Sequence, residues 1–463
     1  MTKTDLREIV RSQSELSRAK TVLSEGDVAV IVKNVFGTDG IRGKAGVYPL
    51  NAEGATQIGK AVGTYFAQPG DTILVGHDPR ESSPALVASV IAGLTAVGVH
   101  TTILGVIPTP GLAYLTKHQD AVAGIMITAS HNAYTDNGIK VFTNNGDKLS
   151  DDIQTSLNTL IANDIDNRAD GTVAEDHALT RSYADFLVSS ANGQLSHELN
   201  IAIDCANGAT SLLANDIFQK LGIQTIPLFN KPNGTNINAK CGATDTTALR
   251  EVVKTQHLSG GIAFDGDGDR VVLVDEQARE LSGDHILYIL ALTGGHKGVV
   301  ATMMSNMGLD TTLKAHGVAL HRTAVGDRYV LEGLAQTGFT LGGEQSGHII
   351  LPELSTTGDG MLAAIQTLQN VTNSGKSLAQ WYDELQLLPQ ALINIPVSDK
   401  SLLDRLDIQE YIDAQIAELG EGGRINIRPS GTEPKVRVMV ESSDATERAQ
   451  TIADTLSKLI ENQ

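Results

Sequence analysis

The residues with the most chemical capacity in this 463-residue chain lie in short glycine-punctuated stretches. In DGDGDR, Asp265, Asp267 and Asp269 alternate with glycines directly after the apolar run GGIAF. Carboxylates this close raise one another's pKa, and a hard divalent cation relieves the repulsion by taking oxygen ligands from one tight turn. The glycines let the backbone fold sharply enough for the side chains to converge. The rest of an EF-hand-type calcium loop, including its terminal Glu, is missing, which leaves a Mg2+ site or a solvated acidic turn. Arg270 follows, suited to hold a phosphoryl group or to pair with those aspartates.

TASHN presents Ser130 as a nucleophile. A serine hydroxyl needs a base, a metal or a phosphoryl group already in place, and no G-x-S-x-G elbow surrounds it, which weakens a hydrolase reading. Neighbouring side chains of an extended segment face opposite ways, so no relay between Ser130 and His131 is expected. His131 is then an orienting or acid–base group, or a packed polar residue. A phosphoryl group on Ser130 would let one cation bridge its oxygen and the three aspartates during in-line transfer. Lys140, in DNGIK, reads as an exposed cation, serving proton transfer or simply the surface.

Two further loops suit anions and hydroxyls. RPSGTEP supplies the planar fork of Arg428, the hydroxyls of Ser430 and Thr432, and backbone N–H groups at Gly431, an anion nest or a solvated turn. In GEQSGH, an extended backbone would put Glu344, Ser346 and His348 on one wall facing a sugar phosphate; the plainer alternative is a β-turn. Arg42, in GTDGIRG, fits phosphate contact or domain packing equally.

These loops need elements to hold them. TILVG (72–76), a helical stretch over 81–98 and VHTTILG (99–105) form a strand–helix–strand block that recurs at 200–229 and more loosely at 297–324. Short Val/Ile-rich runs alternating with helices predict parallel sheets covered by helices. Each block is followed by a polar loop, at 127–138, 263–270 and 341–348. The expected fold is α/β, with three similar mixed α/β domains plus a C-terminal α+β domain around a central cleft. The expected boundaries are an N-terminal extension over 1–30, then 31–178 with the serine loop, 179–280 with the metal loop, 281–387 with the sugar loop and 388–463 with the anion loop. The extension is polar with spaced Leu, Ile and Val, and is expected to be at most a marginal amphipathic helix.

Composition excludes several classes. Thirty-five basic against 54 acidic residues give a net charge of −19, which repels nucleic acid and anionic membrane. Cys205 and Cys241 are too few for a disulfide scaffold and read as reduced, buried thiols. No run approaches the ~18 apolar residues of a spanning helix, and the N-terminus lacks the apolar core of a secretory signal. A cytoplasmic protein without a nucleic-acid or membrane partner is expected.

Taken together, FGTDGIRG (36–43), GVIPTPG (105–111), TASHNAYTDNGIKVF (128–142), FDGDGDR (264–270), GEQSGH (343–348) and RPSGTEPKVRVMVE (428–441) resemble the α-D-phosphohexomutase family in order and spacing. The resemblance implies four domains around a cleft, the last a mobile cap. It implies a phosphoserine at Ser130, Mg2+ on Asp265, Asp267 and Asp269 with that phosphoserine completing the ligands, and sugar recognition by Glu344 to His348. It places the phosphate clamp on Arg428, Ser430, Gly431 and Thr432, with Arg42, His131, Lys140 and Arg270 supporting transfer. The implied activity is that of a Mg2+-dependent phosphosugar mutase working through a sugar 1,6-bisphosphate, which also serves as activator. Gln345 is similar to the glucosamine-phosphate branch, on the bacterial route to peptidoglycan precursors, whereas the phosphomannomutase/phosphoglucomutase branch more often has Met there. The implied partner is a phosphorylated hexosamine substrate, and a homodimer is compatible. The alternatives are that other branch, or a non-catalytic sugar-phosphate-binding protein. Two departures stand out. Ala133 replaces the family's usual proline, which should loosen the serine loop, and the 1–30 extension has no counterpart in many members.

Overall fold

In the computed structural model the described residues are 19–21, 31–33, 35–37, 40–168, 170–193, 195–196, 198–397, 399–430 and 434–461. One strand pattern is used three times. In the first unit, Thr72–His77 lies between parallel neighbours His100–Val106 and Ala123–Ile127, and Asp136–Thr143 then runs antiparallel beside the latter. The second unit repeats this with Asn200–Asp204, Gln224–Leu228, Gly260–Phe264 and antiparallel Val271–Asp275. The third has Gly298–Thr302, Ala319–Thr323, Gly342–Gly343 and antiparallel Ile349–Ile350. The sheets are therefore mixed, where the sequence pattern alone predicts parallel ones. A tight reversal after the third strand of each unit adds the antiparallel fourth.

Burial explains why these runs are strands. AGIMI, GGIAF, VVLVD and GVVAT are buried at every position, as strands covered on both faces require. Helices cross between them. The helix Gly360–Ser374 is capped by Asp359, whose side chain accepts from Leu362 N–H, and it ends at Gly375 with φ of 69°. Its apolar face joins the second and third units in one continuous core that includes Phe264, Leu287, Ile289, Met361 and Ile365.

The last unit is a three-stranded antiparallel sheet, with Lys435–Glu441 between Gln390–Pro396 and Arg424–Pro429, covered by helices Leu406–Leu419 and Ala445–Glu461. It has its own core around Ile408, Val438, Ile452 and Leu456. Near the N-terminus, Ala19–Thr21 pairs antiparallel with Ile31–Lys33. The marginal helix expected within 1–30 otherwise falls outside the described residues. No helix among the described residues is long and apolar enough to cross a membrane.

Candidate active site

The repeated topology puts a loop at one equivalent place in each α/β unit, between its third and fourth strands. Ser130 lies between Ala123–Ile127 and Asp136–Thr143, the aspartate loop between Gly260–Phe264 and Val271–Asp275, and Glu344–His348 between Gly342–Gly343 and Ile349–Ile350. These are carboxyl ends of parallel strands, where open α/β sheets bind ligands.

Ser130 and the aspartates meet. The Ser130 hydroxyl donates to Asp265 Oδ2 at 2.6 Å, and both residues are buried. Gly266 makes the approach feasible, because a Cβ there would lie 2.4 Å from the Ser130 carbonyl oxygen. Ser130 is not extended. Its φ of 51° is left-handed, which turns the hydroxyl to within 3.2 Å of His131 Nδ1. That corrects the alternation argument against a Ser130–His131 contact, which presumed a strand.

Lys140 is also corrected. It is buried, with Nζ 2.9 Å from Asp267 Oδ2 and 3.2 Å from Asp269 Oδ2. Asp136–Thr143 runs between Ile41–Lys44 and Ala123–Ile127, buried over most of its length, and its lysine points into the site and not to solvent. Thr109, in the GVIPTPG stretch, donates from Oγ1 to Asp267 Oδ2 at 2.6 Å. Arg270 donates its backbone N–H to Asp265 Oδ1 at 3.2 Å and keeps Nε 3.9 Å from Asp269 Oδ1. Arg42 lies on the edge strand Ile41–Lys44, opposite Gly138, and its charge reaches His131.

The donor set fits a hard divalent cation. One oxygen from each of Asp265, Asp267 and Asp269 lies within 4.8 Å of the others. Asp267 Oδ1 and Asp269 Oδ1 are buried without a hydrogen-bond partner, which is costly unless something positive meets them. Burial, and then the like charges of Asp269 and Asp267, push the Asp265 carboxyl well above the ordinary range. Burial also pushes Asp269 up, but Lys140, His348 and Arg270 outweigh it and hold that carboxyl well below the ordinary range. Burial, with Arg270 and Arg42 adding like charge, pulls His131 down to about 4, so its ring is neutral at neutral pH.

The sugar loop differs from its expected shape. Residues 344–347 form a turn closed by the Gly347 N–H on the Glu344 carbonyl at 2.9 Å, so Glu344, Ser346 and His348 do not share one wall. Ser346 is exposed, Glu344 half-buried, and His348 buried with Nδ1 3.8 Å from Asp269 and Nε2 3.4 Å from Asp327. The turn rests on the helix Gly283–Thr293, whose Gly283 N–H donates to the Gln345 carbonyl at 3.0 Å.

Arg428 is half-buried on Arg424–Pro429, directly across from Arg437 on the neighbouring strand. Burial, and then the like charge of Arg437, lower its pKa. Ser430 is buried, its N–H donating to the Lys435 carbonyl at 2.8 Å, whereas Gly431 and Thr432 lie outside the described residues.

Sequence reasoning missed Arg80, Asp78, Thr128, Asn238 and Asp327. Thr128 opens the serine motif but was not singled out there, and the other four lie outside the motifs. The available signal was HDPR directly after an apolar strand, since polar residues at that end of a sheet tend to face the site.

The chain matches the phosphoglucomutase/phosphomannomutase alpha/beta/alpha domain I over residues 33–168, domain II over 181–279, domain III over 282–388 and the C-terminal domain over 392–459. It is 46% identical over 432 residues to a phosphoglucosamine mutase of Thermus thermophilus, covering 92% of this chain and 98% of that one. It is 42% identical over 443 residues to a phosphoglucosamine mutase of Deinococcus radiodurans, covering 93% and 98%. Among solved structures, a phosphoglucomutase/phosphomannomutase family protein from Burkholderia thailandensis superposes with a TM-score of 0.78 at 23% identity, over 92% of this chain and 97% of that one. Aspergillus fumigatus N-acetylphosphoglucosamine mutase, solved with GlcNAc-6P and magnesium, gives 0.64 at 18%, over 92% and 96%. Four matched domains in sequence order and near-full-length relatives above 40% identity place this chain in the phosphoglucomutase/phosphomannomutase family.

Proposed function

We propose that the protein is a phosphoglucosamine mutase, interconverting glucosamine 6-phosphate and glucosamine 1-phosphate through a phosphorylated Ser130. The carrying observation is Ser130 Oγ held 2.6 Å from Asp265 Oδ2 inside a three-carboxylate cluster with two orphaned oxygens. Asp265, Asp267 and Asp269 would hold Mg2+ together with the Ser130 phosphate, and the ion would neutralise charge on the transferring group.

The other residues divide between transfer and binding. In the first half-reaction a sugar hydroxyl oxygen bonds to phosphorus as the bond to Ser130 Oγ breaks, giving a 1,6-bisphosphorylated sugar. The sugar hydroxyl gives up its proton and the released Ser130 oxygen takes one, and His131, with Nδ1 3.2 Å from Oγ, would serve the exchange at that leaving oxygen. Lys140 and Arg270 brace the carboxylates and face the phosphoryl oxygens with positive charge. Glu344 and Ser346 take sugar hydroxyls, His348 orients Asp269, Arg42 supports transfer with its charge beside His131, and Arg428 and the Ser430–Thr432 loop receive the second phosphate. The bisphosphate then reorients and returns its other phosphoryl group to Ser130. All this chemistry suits a cytoplasmic enzyme fed by soluble sugar phosphates.

Intact-mass analysis of untreated protein should find a fraction carrying one phosphate at Ser130. With matched Mg2+ and bisphosphate, kcat/KM for glucosamine 1-phosphate should exceed that for glucose or mannose 1-phosphate at least about tenfold, or 1.4 kcal/mol. An equal or reversed preference would move the protein to the phosphomannomutase/phosphoglucomutase branch, and no turnover on any sugar phosphate would leave only a binding protein.

A further inference from the structure

A nucleophile in a left-handed backbone conformation needs something to hold it there, since a side-chain-bearing residue disfavours that region. Ser130 has φ of 51° and is one residue type that pays for it without glycine's freedom. Its backbone is gripped at both ends by one closed hydrogen-bond circuit. The Ser130 N–H donates to Thr128 Oγ1 at 2.9 Å, and that hydroxyl donates to Asp78 Oδ2 at 2.7 Å. Arg80 Nε donates to the same carboxylate oxygen at 2.8 Å, and Arg80 Nη2 donates back to the Ser130 carbonyl at 2.8 Å. The remaining amino group, Nη1, reaches the carbonyls of Ala133 and Asp136.

We infer that Arg80 is a positioning residue for phosphoryl transfer, its guanidinium fixing the left-handed turn that aims the Ser130 hydroxyl at the aspartate cluster. Arg80 is 1% exposed and its recorded bonds go to Asp78 and to three carbonyls of the serine loop, so it acts through Ser130 and not on substrate. A planar fork can serve three divergent carbonyls and a carboxylate together, which a lysine ammonium cannot. The guanidinium also holds the carbonyl of Ala133, the residue where no proline ring fixes φ. Asn238, from the second unit, adds a second donor to the Ser130 carbonyl at 2.9 Å and one to Asn132 at 3.1 Å.

The inference rests on the phosphoserine reading, and a single-turnover assay separates the two. Dephosphorylated protein is mixed with glucose 1,6-bisphosphate and Mg2+, and phosphate on Ser130 is followed by mass spectrometry. In Arg80→Lys the rate constant should fall about 100-fold, the scale of a small misplacement of a reacting group, while the final amplitude stays complete. The Mg2+ concentration for half-maximal rate should stay within about threefold of wild type, because the carboxylates are untouched. A reduced amplitude with an unchanged rate constant means a merely structural residue and overturns the inference, as does a wild-type rate. If Arg80→Lys does not fold, Asp78→Asn, which weakens the carboxylate holding Arg80 Nε and leaves the guanidinium present, decides. A rate constant about tenfold lower at full amplitude supports positioning through the circuit, and a wild-type rate overturns it. Wild-type protein that never gains phosphate at Ser130 sinks the phosphoserine reading itself.

Discussion

On the proposed function the reaction centre and the C-terminal anion loop would both meet phosphate, but they are built by opposite means. Ser130, Asp265, Asp267, Asp269 and Lys140 are all buried, and their bonds cross between the first and second units. His348 brings the third unit onto the same carboxylates. Arg428, by contrast, stands half-buried on a unit with a separate core. That unit is tied to the third chiefly by polar links. Asn306 exchanges two bonds with the Leu388 backbone, Glu441 accepts from Met307 N–H at 3.0 Å, and Arg424 donates to the Ser305 carbonyl at 2.8 Å. Bond making and breaking needs fixed geometry. A sugar bisphosphate that must reorient needs room, and a separately cored unit can shift as a body without opening the other cores.

The harshest way to break this contrast is to remove the fixed nucleophile. Ser130→Ala should lower turnover by about 10^4-fold or more, while sugar-phosphate affinity changes little. Activity near wild type, with contaminating mutase excluded, would mean that the buried centre is not where the phosphate is carried. Asp267→Asn comes next. It keeps the shape but removes one carboxylate that Thr109 and Lys140 orient. Turnover should fall about 10^3-fold and the Mg2+ requirement should move to higher concentration. Full activity after exhaustive chelation would assign the cluster another task.

The C-terminal loop should respond differently. Arg428→Ala removes a charged donor and should cost about 1.5–3 kcal/mol, roughly 10–100-fold in kcat/KM. Most of that should lie in KM, because on the proposed function the arginine would hold the phosphate that is not being transferred. Equal losses in kcat and kcat/KM would instead make Arg428 part of the transfer geometry.

Much of this was legible in the sequence. Continuous apolar runs such as GGIAF and GVVAT name their own strands, and glycine-spaced aspartates name their own cluster. What could not be read was local backbone direction. A residue at φ of 51° reverses the facing rule on which the Ser130–His131 expectation depended. Lys140 looked exposed because DNGIK is polar, yet its strand is sandwiched between Ile41–Lys44 and Ala123–Ile127. Arg80 and Asp78 were invisible for a third reason. Arg80 reaches carbonyls of a loop 50 and more residues away, and a backbone acceptor leaves no trace in sequence spacing; Asp78 is tied to the same loop only through Arg80 and the Thr128 hydroxyl.

The smallest expected effect concerns acid stability and touches no reacting group. His285 lies at the start of the helix Gly283–Thr293, on which the turn 344–347 rests, where its Nδ1 accepts from the Ser282 N–H at 3.2 Å and its ring stacks on Tyr382 at 4.8 Å. Burial, with Arg279 adding like charge, pulls its pKa down to about 4. The unfolded chain takes a proton there near 6.5 and the folded protein refuses it until about 4, so this stabilisation is complete above 6.5 and lost as pH falls. The full loss is about 3 kcal/mol. Burial raises Asp204, Asp284 and Asp359 to about 6, and a raised carboxyl pKa has the opposite sign, adding stability as pH falls through that window. Those groups are the same in His285→Gln, and Gln still serves the helix start as an acceptor. The difference between variant and wild type therefore isolates the imidazole. The variant should turn over normally at neutral pH but lose up to about 3 kcal/mol less stability than wild type between pH 7 and pH 4. The C-terminal unit, 388–463, contains no histidine, so its own unfolding should lack this step in both proteins. Denaturant unfolding at pH 7, 5.5 and 4.5, read by hydrogen exchange in each unit, would test both halves; parallel curves for variant and wild type would show that His285 accepts its proton while folded.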